Sequence, residues 1–144
     1  MQHHQRLNLL GALLIGWQGR IRLTTRSYRH SLRGEEVVAF LKQVLQIVPA
    51  EIVLVWDNHP IHKRQLVQQF LAENPRVHVY WFPVCAPELN PVEFVWTQVS
   101  EATANFAPHN LIELCKRVSN AVARTRTSAR RLAACLAGCD LSWK

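Results

Sequence analysis

The sequence predicts a mixed α/β layer fold, and three observations carry that prediction: a hairpin pattern at the start, alternating apolar runs and helical periodicities through the middle, and an ordinary globular composition. Apolar residues make up 49% and charged residues 19%, a balance that excludes a disordered chain. The elements follow in the order β-β-α-β-α-β-α-α, which a layered α/β architecture accommodates. A chain of 144 residues suits a single domain able to bury roughly two-thirds of its unfolded surface. Its core is expected over about residues 7–122, followed by a basic tail over 124–144, with no internal repeat or low-complexity block.

Each element has its own signal. Residues 7–16 (LNLLGALLIG) and 20–25 (RIRLTT) flank Gly16-Trp17-Gln18-Gly19 and read as the two strands of an antiparallel hairpin. From Gly34, Glu35 and Glu36 suit the positive end of a helix, and Val37, Phe40, Leu41, Val44, Leu45 and Val48 keep helical spacing as far as Pro49. Glu51 to Trp56 (EIVLVW) is a continuous apolar run, the pattern of a strand covered on both faces. Pro60 marks a helix start, with Leu66, Val67, Phe70 and Leu71 repeating before Asn74-Pro75 stops them. Val77 to Phe82 reads as a strand, and Pro91 opens a helix carrying Val92, Val95, Trp96 and Val99 on one face. A further helix spans about Asn110 to Val122, then a basic stretch (RTRTSARR, Arg124 to Arg131), then a short apolar helix.

Charge narrows the partners. Seventeen Lys and Arg against ten Asp and Glu give a net charge of +7, so the surface attracts polyanions and nucleic acid is the first partner to consider. The four cysteines form no CxxC pair, which indicates neither a zinc knuckle nor a disulfide framework. Cys135 and Cys139 lie one helical turn apart and read as buried helix cysteines before they read as a soft-metal pair. With no signal peptide, and with Leu7 to Ile15 too short to cross a bilayer as a helix, the expected location is the cytoplasm, near the nucleoid, with no membrane partner.

Two acids stand at chemically useful positions. Asp57 follows the Glu51–Trp56 strand, at the end where ligands bind in α/β folds, and Glu93 falls in the first turn of the Pro91 helix. A pair of carboxylates with room for water is a usual way to hold Mg²⁺. Structural readings stand beside this one. Asp57-Asn58 can open a turn or cap the helix at Pro60, and Asn90-Pro91-Val92-Glu93 can form a capping box.

The surroundings carry a resemblance. VLVWDNHPIHK (Val53 to Lys63), followed by VYWFPVCAPELNPVEFVWTQV (Val79 to Val99), resembles the two central motifs of mariner-like DDE transposases, in particular their bacterial insertion-sequence relatives. The resemblance extends more loosely from about Leu7 to Ser119. It implies a ribonuclease H-like mixed sheet flanked by helices, with Asp57-Asn58 at the strand end and Glu93 closing the P-x-x-x-P-x-L-N-P-x-E segment. It further implies Asp57 and Glu93 as catalytic ligands of two Mg²⁺ (or Mn²⁺) ions that cut DNA at element ends and transfer the strand to target DNA. His62 matches a histidine that the family places near its metal site, and Asn58, Asn90 and Pro91 are the expected supports of the two acids.

One departure matters. The family uses three carboxylates, the first on the opening strand, and residues 1–34 contain no Asp or Glu. The hairpin corresponds to the second and third strands of such a fold, so the sheet is expected to lack its first strand, as in a truncated or split reading frame. Glu35 and Glu36 are poor substitutes, having a sufficient role at a helix start. The chain alone is therefore expected to be inactive, with an upstream transposase fragment or a second copy as candidate partners. A non-catalytic DNA-binding or assembly remnant and a nuclease of the same fold are the rival readings.

Among other candidates, Lys63, Arg64, Arg124, Arg126, Arg130 and Arg131 are the expected phosphate contacts, although each alone is more often a solvated charge. Trp56 and Trp96 read as core residues rather than base-stacking platforms. His59 reads as a turn residue, and His3 and His4 as terminal disorder.

Overall fold

The computed structural model describes residues 6–105 and 107–139, so His3, His4 and the end of the basic tail lie outside the described residues. The chain divides into two compact units, one of residues up to His30 together with Glu88 onward, the other of Ser31–Pro87. Among the described residues, four strands form two two-stranded sheets, one antiparallel and one parallel. With the five α-helices found among the described residues this gives the mixed α/β character expected. No helix among the described residues is long and apolar enough to cross a membrane.

The first unit begins with β1 (Asn8–Ile15) and β2 (Ile21–Tyr28), antiparallel and in register from Asn8↔Tyr28 to Ile15↔Ile21. Their turn is closed by Gly16 N–H donating to Arg20 O (2.9 Å) and Gly19 N–H donating to Gly16 O (3.0 Å). Gly19 sits at φ +80°, a conformation that glycine adopts without steric cost. Because side chains alternate along a strand, Leu9, Leu13, Ile21 and Leu23 share one face, and they join the core of this unit.

That core is completed by three helices. Helix α3 (Pro91–Thr103) contributes Val95 and Val99, α4 (Leu111–Arg126) contributes Val118, Ala121 and Val122, and α5 (Ala129–Gly138) contributes Leu132 and Cys135. The core thus reaches past Val122, where the sequence pattern ends it, because the basic stretch closes α4 and opens α5 and delivers two buried side chains beyond it. β1 approaches α3 so closely that a Cβ on Gly11 would lie 2.7 Å from the Trp96 ring. One polar network is buried among these side chains: Thr125 Oγ1 donates to Gln98 Oε1 (2.9 Å), while Gln98 Nε2 donates to Arg131 O (3.1 Å) and Cys135 Sγ (3.3 Å). Burial pushes the Cys135 thiol above its ordinary value, and Cys139 is buried as well.

In the second unit, β3 (Ile52–Trp56) and β4 (Val77–Trp81) pair in parallel, in register from Ile52↔Val77 to Trp56↔Trp81. Helices α1 (Gly34–Ile47) and α2 (Gln65–Glu73) supply Val37, Leu41 and Val67 to a core shared with Leu54, Trp56 and Val79. Glu36 accepts from the Arg33 N–H (2.8 Å) and so closes the start of α1, the role expected of an acid at a helix's positive end. At the other end, Arg76 Nη1 donates to Val48 O and Ala50 O (both 2.6 Å) and Nη2 to Leu45 O (2.8 Å). These carbonyls are left over where a helix ends, and a guanidinium satisfies several at once.

Two expectations are corrected here. The β3 run is not covered on both faces: Val53 is 68% exposed, and Tyr80, on the same face of β4 opposite Val55, is 59% exposed, because only the side bearing Leu54 and Trp56 is packed. Pro60 does not open an α-helix either. It begins a 3-10 turn, Pro60–Lys63, and Arg64 is extended (φ −61°, ψ 144°) before α2 starts.

Candidate functional site

Asp57 is the first residue beyond β3, at the carboxyl end of a parallel strand. Its Oδ1 accepts from the His59 N–H (3.0 Å), an Asx-type turn, and lies 3.1 Å from His62 Nδ1. The tight 3-10 turn is what brings His62 back to Asp57. His62 N–H donates to His59 O (3.0 Å), and His59 Nδ1 accepts from the Ile61 N–H (3.1 Å). The imidazole also lies 3.1 Å from the Asp57 carbonyl oxygen and stacks flat on Trp56, ring centroids 4.2 Å apart and 2° from parallel. Burial pushes the His62 imidazole below its ordinary value, opposed by its hydrogen bond to the Asp57 backbone and by the Asp57 charge. His62 is thus no exposed helix residue: its side chain is 16% exposed, against 50% for Asp57. Next door, Asn58 Nδ2 donates to Phe82 O and ties the end of β3 to the end of β4.

Glu93 is built differently. Asn90 caps α3 by accepting from the Val92 N–H (3.2 Å), and Pro91, buried, occupies the first helical position. Glu93 N–H donates to Asn90 O (3.1 Å). The carboxylate is on the exposed side of the first turn and has no hydrogen-bonding partner among the described residues, so the reciprocal half of a capping box is not made.

The basic candidates separate in the structure. Lys63 Nζ lies 5.5 Å from the Trp81 ring centroid, a cation–π contact. Arg64 lines a cleft with Arg33, Gln65 and Gln69. Arg126 is engaged with Thr25 Oγ1 (2.8 Å), Arg124 and Arg130 are exposed, and Arg131 is half-buried. Trp56 is 8% exposed and belongs to the core, as expected, although its Nε1 has no partner among the described residues. Trp96 packs against the core of its unit.

The donor chemistry suits a hard divalent cation. Asp57 keeps Oδ2 free of partners among the described residues, and a carboxylate oxygen is the kind of donor that Mg²⁺ takes while retaining water. No group of three or more His, Cys, Asp or Glu able to hold a metal occurs among the described residues.

A family model described as DDE superfamily endonuclease matches residues 1–130. The chain belongs to this family. It is also similar to an insertion element IS630 uncharacterized 39 kDa protein of Shigella sonnei, 37% identical over 68 residues. That match covers 46% of this chain and 20% of the relative's length.

For a DDE superfamily chain, divalent-metal chemistry is the general expectation, and Asp57 and Glu93 both fall inside the matched range. Sequence reasoning named both acids and His62. It missed the Trp56–His62 stack and the Arg76 clamp, since neither leaves a local signal: each depends on contacts that only the fold creates.

Proposed function

We propose that this chain is catalytic-domain material of an insertion-sequence transposase, cutting and joining DNA with Mg²⁺ or Mn²⁺ when the enzyme is complete. The observation that supports it most is Asp57, set beyond a parallel strand with one carboxylate oxygen held by His59 N–H and His62 and the other open. In this reading Asp57 and Glu93 are the metal ligands, Asn58 and His62 fix Asp57, and Asn90 and Pro91 aim Glu93. Two divalent ions would there activate the attacking oxygen and stabilise the leaving oxygen of a phosphodiester. We read the two sheets and their helices as parts of a ribonuclease H-like fold that acts on DNA near the nucleoid. Lys63, Arg64 and the arginines from Arg124 to Arg131 would take DNA phosphates.

With no acid in residues 1–34, the pair is short of charge, and the chain alone is expected to be inactive. Supplying a strand that bears an Asp, from a co-expressed transposase fragment, should give Mg²⁺-dependent cleavage and joining of DNA carrying element ends. Asp57→Asn and Glu93→Gln should each reduce that activity by at least about a thousandfold while circular dichroism stays unchanged. Activity that survives Asp57→Asn would remove this reading, and cleavage without joined products would reduce it to a nuclease.

A further inference from the structure

The β1–β2 turn displays Trp17 with its side chain fully in solvent, 107% exposed. A single exposed apolar side chain is common, but an indole beside exposed arginines sets a flat ring and cations together, the pairing that nucleic-acid surfaces use. The turn is closed by the Gly16–Arg20 and Gly19–Gly16 hydrogen bonds. Beside it, Arg20 and Arg22 are exposed, and Arg26 follows on the same face of β2 with its guanidinium 5.8 Å from the Tyr28 ring. No Asp or Glu occurs anywhere in residues 1–34.

We propose that the hairpin tip is a nucleic-acid wedge: Trp17 stacks on an unpaired base while Arg20 and Arg22 take the neighbouring phosphates. Every base offers a π-face to an aromatic ring, and arginines beside the ring hold the backbone. A lipid surface fits less well. The tip offers one flat ring among Gly16, Gln18 and Gly19, rather than the broad apolar face that interfacial insertion needs. The inference rests on the nucleic-acid reading above and adds a contact outside the proposed metal ligands.

The test is binding of the whole chain to labelled DNA oligonucleotides by fluorescence anisotropy, with single-stranded, mismatched and fully paired probes. Trp17→Ala should weaken binding to single-stranded and mismatched probes by about tenfold or more, and leave the paired duplex within about twofold. Trp17→Phe should retain most of the affinity, and Arg22→Ala should lower the salt dependence on every probe. Since the Trp17 side chain is fully in solvent and Arg22 is exposed, all three variants should melt like the parent chain. Equal affinity of Trp17→Ala and the parent for unpaired probes would overturn the wedge alone. Absence of binding to every probe would overturn both the wedge and the DNA reading, and a Trp17-dependent fluorescence shift only on anionic vesicles would assign the tip to lipid.

Discussion

The unit built on β1 and β2 has the larger apolar core, with a polar network inside it, whereas the unit built on β3 and β4 has a smaller core supplemented by polar side chains that reach backbone atoms. In the first, Leu23, Val95, Val99 and Leu132 interlock with Cys135, and β1 touches α3 at a position where only a glycine fits. In the second, the Arg76 guanidinium gathers three carbonyls left at the end of α1, and Asn58 bridges the two strand ends. The two proposed metal-binding acids follow the same division. Asp57 is clasped by His62 and a backbone N–H, while Glu93 rides on a capped helix with its carboxylate unattached among the described residues. A clasped acid keeps its geometry before any ion arrives; an unattached one must be ordered by what it binds.

If packing dominates the first unit, overfilling its tightest contact should destabilise the chain more than removing any polar contact of the second. Gly11→Val tests this, because its side chain would drive into the Trp96 ring, and overpacking of this kind costs about 3 kcal/mol. Thermal or urea denaturation would measure it, and a loss below about 1 kcal/mol would mean that the β1–α3 contact yields easily. Arg76→Met probes the other side of the comparison, since it keeps much of the aliphatic stem and removes the donors. About 2 kcal/mol should be lost, the scale for charged hydrogen bonds to otherwise unpaired carbonyls. Hydrogen exchange should speed up most in the last turn of α1, and unchanged exchange there would show that water replaces the guanidinium without penalty.

Much of this was legible in the sequence, for identifiable reasons. The hairpin, α1, α3 and α4 announce themselves by apolar periodicity and by Gly and Pro at their ends, and those signals are local. The strand-end position of Asp57 and the helix-start position of Glu93 were legible from the same patterns. The 3-10 turn at Pro60 was not, since Pro at a helix start looks the same whether an α or a 3-10 turn follows. That one ambiguity hid the return of His62 to Asp57. The exposure of Val53 was hidden too, because an apolar run signals what a strand can bury and not what is present to cover it.

The finest test concerns how Asp57 is held. His62 meets it through Nδ1 and meets Trp56 through the ring face, so the hydrogen bond and the stack can be separated by substitution. His62→Phe keeps a flat ring for Trp56 and loses the polar atom; His62→Asn keeps a donor near the Nδ1 position and loses the stack. If the polar contact aims the carboxylate, His62→Phe should weaken Mn²⁺ binding by about tenfold, the usual scale for removing a group that orients a metal ligand, and His62→Asn should restore part of it. Titration calorimetry of the chain with Mn²⁺ reads this without requiring activity. The reverse order would assign the orienting role to the Trp56 stack, and parent-like affinity in both variants would leave the His59 N–H as sufficient to fix Asp57.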